Sequence, residues 1–201
     1  QLSALIQEQI SDGRQQSAEP IEVVPRTGKL APSFAQQRLW FQEKLTRGSG
    51  AFHIALGTKL KGQLNVNAIE QTFGEIIRRH ESLRTSFPMI DGELVQQISP
   101  PSQFEIPIID LRRFDETEQE AISSELAQSE LSRPFDLASG PLARVILLRH
   151  RDDEYTIICS LHHIISDGWS RGVLVEEIST LYEAFCGAEQ SPLAELNIQY
   201  A

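Results

Sequence analysis

The chain has 201 residues, 40% of them hydrophobic and 23% charged, with a net charge of −10. That length allows one large or two small domains of ordinary globular composition. The acidic balance offers no basic surface for nucleic acid or an anionic membrane, and no run of about 18 apolar residues marks a membrane span.

Leu2, Leu5, Ile6 and Ile10 recur at helical spacing, which predicts a short amphipathic helix over 1–17, ending near Asp12-Gly13. Gln15 to Lys29 is polar, contains Pro20 and Pro25, and reads as a linker. Pro32-Ser33 opens a helix through about Thr46, with Ser33 as its cap. Phe52 to Lys61 reads as a strand stopped by Gly62. Asn67-Ala68-Ile69-Glu70 reads as the next helix start, the amide capping and the carboxylate following three residues on. Ile69, Phe73, Ile76, Ile77 and His80 then share one face. Asp91-Gly92 is a turn, Leu94 to Ile98 a short strand, and Phe104 to Leu111 a strand interrupted by Pro107. Glu116 to Leu131 is a polar-faced helix. Ala143 to His150 and Tyr155 to Leu161, joined by Arg151-Asp152-Asp153-Glu154, predict an antiparallel hairpin. Gly172 to Phe185 is a final helix. Helices and strands interleave with hairpins, so the expected fold class is α/β with a mixed sheet covered by helices. Cys159 and Cys186 give no disulfide framework. With no signal-peptide pattern at the start, a reducing, cytoplasmic setting is expected.

The second hairpin strand runs straight into His162-His163-Ile164-Ile165-Ser166-Asp167-Gly168. Imidazole exchanges protons near neutral pH, so a histidine at a strand end suits acid–base work. Strand alternation sends His162 and His163 to opposite faces, so one can meet a substrate while the other is buried and structural. Asp167 or a backbone group would fix the ring. Gly168 would permit close backbone approach, its amide facing a developing oxyanion. Against this stands a purely structural pair, the commoner role of such histidines. A metal held by His162, His163 and Asp167 is disfavoured, because opposite-facing neighbours do not close on one ion. Nucleophilic catalysis by Cys159 is disfavoured too: four extended residues place its Cα roughly 13 Å from that of His163. Ser166 and Ser170 lack a Gly-x-Ser-x-Gly elbow and read as turn residues. Arg78-Arg79-His80-Glu81-Ser82-Leu83-Arg84-Thr85 is a charged cluster at a helix end. It reads either as cations favoured at a helix C-terminus or as the source of an arginine that holds Asp167.

Three segments lie in order: Ser33-Phe34-Ala35-Gln36-Gln37-Arg38-Leu39-Trp40, Arg79-His80-Glu81-Ser82-Leu83-Arg84-Thr85-Ser86-Phe87, and His162 through Trp169-Ser170. Arg133-Pro134-Phe135-Asp136-Leu137 and Gly140-Pro141-Leu142 fall between the last two. Together they resemble the motifs of condensation domains of non-ribosomal peptide synthetases, from about residue 30 to the end. The resemblance implies a chloramphenicol-acetyltransferase-like lobe that faces a second, similar lobe across a tunnel. It implies that residues 30–201 are the N-terminal lobe and residues 1–29 the tail of a preceding carrier domain and a linker. It also implies a chemistry. The amine of a downstream carrier-bound aminoacyl thioester attacks an upstream acyl or peptidyl thioester, and an amide forms. Both substrates ride on phosphopantetheine arms of the carrier domains, and no cofactor is bound directly. His163 matches the family's catalytic histidine. His162, Asp167, Gly168, Arg79 and Arg84 are supporting residues, with Asp167 paired to Arg79, Arg84 or an arginine of the second lobe. The implied partners are both carrier domains, the C-terminal lobe and an adjacent adenylation domain. The wording of the first and third motifs is similar to domains joining an L-configured donor to an L-configured acceptor. The lobe alone is expected to fold without condensing. Two further readings stand beside this one. A non-catalytic carrier-recruitment module is opposed by the intact His163 and Asp167. A coenzyme A-dependent acyltransferase is opposed by the first two motifs.

Overall fold

The computed structural model describes residues 28–46 and 50–201, together with Val23 and Arg26. The helix expected over 1–17 and most of the linker lie outside the described residues. Helix α1 (Phe34–Thr46) starts at a reciprocal cap: the Gln36 amide donates to Ser33 Oγ at 3.3 Å, and the Ser33 amide donates to Gln36 Oε1 at 2.8 Å. Strand β1 (His53–Lys61) follows and stops at Gly62, whose φ of 110° an L side chain would resist.

Helix α2 (Val66–Arg79) begins earlier than Asn67 suggests. Asn65 is the cap, its side chain accepting the Ala68 amide at 3.1 Å. Glu70 is therefore not its reciprocal partner; it accepts the Ile106 amide at 3.1 Å and ties a distant segment to α2. A 3₁₀ turn (Glu81–Arg84) leads into two small ribbons, β2 (Thr85–Ser86) with β5 (Gln97–Ile98), and β3 (Met89–Ile90) with β4 (Glu93–Leu94). Asp91 and Gly92 turn the second ribbon with φ of 54° and 81°, as a tight hairpin requires. The single strand expected over 94–98 is thus divided between two ribbons. Between them the Gln96 amide donates to Leu30 O at 2.8 Å. Strand β6 is only Ile108–Asp110, beginning after Pro107, which has no N–H to donate.

Helix α3 (Glu116–Ser132) carries a full capping box, Asp115 with Glu118. Strands β7 (Ala143–Arg151) and β8 (Glu154–His162) form the expected hairpin. Helix α4 (Gly168–Cys186) starts four residues before Gly172, because Asp167 is its N-cap. The main sheet has the order β1-β8-β7-β6, with β6 parallel to β7 and the other pairs antiparallel. It is the mixed sheet of the expected α/β class. Alternation gives it two faces. Val145, Leu147, Tyr155 and Ile157 meet Ile69 and Phe73 of α2, while Leu161 meets Ile76 of α2 and Leu181 of α4. On the other face Leu148 and Ile158 meet Ile122 and Leu126 of α3. Each such leucine contributes about 1.5–3 kcal/mol when fully buried. The sheet is thereby a rigid platform, and β8 delivers the two histidines at its end.

Candidate active site

His162 is the last residue of β8 and is 0% exposed, whereas His163 is exposed. The alternation expected from the sequence therefore separates them as one buried ring and one available ring. The His163 amide donates to Phe52 O at 2.8 Å, which fixes its backbone against the entry to β1. The Ile165 amide donates to His162 O at 3.1 Å, and the Ile164 amide donates to His162 Nδ1 at 3.0 Å. His163 thus projects from a turn whose neighbours on both sides are held. Burial, with smaller contributions from His53 and His163, pushes the His162 imidazole down to about 4. It is neutral at neutral pH.

Asp167 is exposed and caps α4. It accepts the Ser170 amide at 2.8 Å and the Ser170 hydroxyl at 2.7 Å. These bonds, the amide's first, hold its carboxyl below the ordinary range. No arginine among the described residues pairs with it, which corrects two of its three expected partners, Arg79 and Arg84, and does not bear on an arginine of the second lobe. Arg79, buried, donates to Glu177 at 3.2 Å and to Ala194 O at 2.8 Å, so it ties α2 to α4 and to the C-terminal segment. Arg84 is taken by Glu81 and by Ser99 O. The physical reason is exposure: solvent relieves Asp167 of the cost that would compel a partner, while the two arginines sit beside nearer acceptors. Gly168 is the first residue of α4. A Cβ there would meet nothing within 4 Å, so close packing among the described residues does not demand glycine.

Glu177 was not legible as a site residue. Burial opposes its ionisation, but hydrogen bonds from Arg79 and from His80, whose Nε2 lies 2.7 Å away, outweigh it and hold the carboxyl below its ordinary value. The thiol reading fails: burial pushes Cys159 up to about 12, too high for a thiolate. The metal set His162, His163 and Asp167 is not assembled. Instead Glu43, His53 and His162 each place one ligand-type atom within 4.8 Å of the others. Sequence spacing could not find this trio, because His53 faces His162 only through the β1–β8 register.

The chain resembles known proteins along nearly all of this architecture. The family described as Condensation domain matches residues 27–201. A linear gramicidin synthase of Brevibacillus parabrevis is 46% identical over 184 residues, which is 92% of this chain and 2% of that one. Phosphinothricin tripeptide synthetase PhsC of Streptomyces viridochromogenes is 36% identical over 90% of this chain and 17% of that one. The chain therefore spans a small part of the curated relatives it matches. Among solved structures, the starter condensation domain of rhizomide synthetase RzmA superposes with a TM-score of 0.76 at 24% identity, over 84% of this chain and 40% of that one. The X-domain from teicoplanin biosynthesis superposes with a TM-score of 0.80 at 24% identity, over 90% and 38%. These likenesses show the fold.

Proposed function

The chain belongs to the condensation-domain family, and on that premise we propose that it is the N-terminal lobe of an amide-forming enzyme with His163 as its catalytic residue. The amine of a downstream aminoacyl thioester attacks the carbonyl carbon of an upstream acyl or peptidyl thioester. A C–N bond forms, the C–S bond breaks, and the proton released by the amine ends on the departing phosphopantetheine thiol. His163 orients the amine and accepts that proton in transit. The Gly168 amide, at the positive end of α4, faces the developing oxyanion, and Asp167 fixes that helix start. Holding two tethered substrates in register supplies much of the rate, since effective molarity is worth roughly 7–11 kcal/mol. The arms belong to the upstream and downstream carrier domains, and the adjacent adenylation domain loads the acceptor.

The observation that carries this reading is the separation of the pair, a buried His162 beside an exposed His163 on a pinned turn. Helix α1 supports a second lobe. Phe34, 90% exposed, lies on one helix face with exposed Phe41 and Leu45, seven and eleven residues on. Trp169, 85% exposed, adds a large apolar group beside the histidine turn. A C-terminal lobe covering these side chains would remove them from water. The motif wording supports an L-configured donor and an L-configured acceptor. The deciding experiment measures amide formation from two loaded carriers by the complete two-lobed domain. His163→Ala should lose about 10²–10⁴-fold, and near-normal turnover by that variant would sink the reading. Offering the donor as its D-epimer should lower the rate. The 201-residue chain alone should give a cooperative melt and no product.

A further inference from the structure

Helix α1 turns two polar side chains inward beside Leu39 and Trp40, which pack against the core. Gln36 and Glu43, seven residues apart, are both buried, while the apolar Phe34, Phe41 and Leu45 look outward. Gln36 is fully engaged: it donates to Gln96 Oε1 at 3.2 Å and accepts the Ser33 amide. Glu43, 5% exposed, is different. Both of its carboxylate oxygens are buried and lack a well-formed hydrogen bond among the described residues. A buried carboxylate without a donor is costly, so its neighbours matter. They are His162, whose Nε2 lies 3.5 Å from Oε2, and His53; the Nε2 atoms of both rings are buried and likewise lack a well-formed hydrogen bond among the described residues.

The tautomers follow from the other ring atoms. A neutral imidazole has one N–H and one lone pair. His162 Nδ1 accepts the Ile164 amide, so its lone pair is there and its hydrogen is on Nε2, facing Glu43. His53 Nδ1 lies 2.8 Å from Leu131 O, which can only accept, so the neutral ring carries its hydrogen on Nδ1 and its lone pair on Nε2. The trio therefore holds one donor, His162 Nε2–H, and two acceptors. A cation bound at all three is disfavoured, since His162 Nε2 has no free lone pair and two ligands do not close a zinc site.

We propose that Glu43 is a positioning residue: its carboxylate selects the Nε2–H tautomer of His162, which keeps Nδ1 open to the Ile164 amide and so holds the turn that presents His163. This rests on the proposed function for its catalytic readout. With Glu43 lost, only the Ile164 amide favours the Nε2–H form, and His162 can share both tautomers. In the Nδ1–H form it meets the Ile164 N–H head-on, and the turn loosens between two residues that define the position of His163.

The test uses the complete two-lobed domain with ¹⁵N-labelled histidine, as wild type, Glu43→Gln and Glu43→Leu. Ring nitrogen shifts report the tautomer, and turnover with two loaded carriers gives kcat and KM. Wild type should show His162 as Nε2–H. Glu43→Leu should show mixed tautomers, with kcat down about tenfold and both KM values within about twofold, the signature of a misplaced catalytic group. Glu43→Gln keeps an acceptor oxygen and should restore most of both readouts. A Glu43→Leu domain that melts lower but keeps the wild-type tautomer and kcat overturns the proposal. So does stoichiometric zinc that Glu43→Leu abolishes. Activity surviving in His163→Ala would instead remove the proposed function, and the nitrogen shifts would still decide whether Glu43 sets the tautomer.

Discussion

Under α2 and α4 the sheet presents Val145, Leu147, Tyr155 and Ile157, whereas under α3 it presents Leu148 and Ile158 together with His150 and, at the α1 end, Ser160 and His162. On the first face the ionic groups stand at the margin, where Arg79 and His80 share Glu177. On the second face an imidazole enters beside a buried carboxylate, His162 next to Glu43, and the Arg144–Glu130 pair lies near them. His150 is held between Gln119 of α3 and Thr156 of β8, and burial, its largest influence, pushes it down. The second face thus carries two imidazoles that burial pushes down, His150 and His162. The difference teaches how one short motif serves two purposes. The buried histidine belongs to the polar interior, and its exposed neighbour is left free for chemistry.

The sharpest way to break this comparison is at the ionic margin of the apolar face. Arg79→Ala leaves Glu177 half-paired and two carbonyls without a donor, and should cost about 3–5 kcal/mol by urea denaturation at pH 7. Leu147 and Leu148, both 0% exposed, sample the two faces directly. Each change to alanine should cost about 2–5 kcal/mol, and a loss under about 1 kcal/mol at Leu148 would mean that α3 is only loosely docked.

Acid separates the faces by window. In the unfolded chain His162 titrates near 6.5, but in the fold only near 4. Between those values the unfolded state binds the extra proton, so stability falls as the pH drops. The loss from His162 is on the order of 3 kcal/mol, with His150 adding in the same direction. Glu177 acts lower. Its depressed carboxyl contributes stability that is full above its unfolded value of 4.5 and is lost as pH falls through the folded value. Urea midpoints that stay level from pH 7 to pH 5 would contradict the polar-face account. The smallest effects belong to the helix starts. Asp115→Ala and Asp167→Ala should each cost about 1 kcal/mol in thermal melts, and a much larger loss at Asp167 would point to a partner beyond its Ser170 cap.

Much of this was legible locally. The hairpin, α3 and its neighbours, and the division of His162 from His163 all follow from patterns within a few residues, because alternation and helical period are properties of adjacent backbone. Errors arose where two local signals competed. Asn65 and Asn67 both suit a cap, and the Ala68 amide chose Asn65. The final helix is expected from Gly172, but Asp167 caps it and α4 begins at Gly168. Helix α1 is legible in its Ser33 cap and its end at Thr46, but not in its inward face, where Glu43 is buried beside Leu39 and Trp40 while Phe34, Phe41 and Leu45 are exposed.

The sequence by itself determined the family motifs, the α/β class and that only one histidine of the pair could be free. Only the tertiary structure decided what the buried histidine meets. His53 comes to His162 through strand register, and Glu43 through the packing of a helix more than a hundred positions earlier. Such contacts depend on how elements dock, and no periodicity within a segment records that.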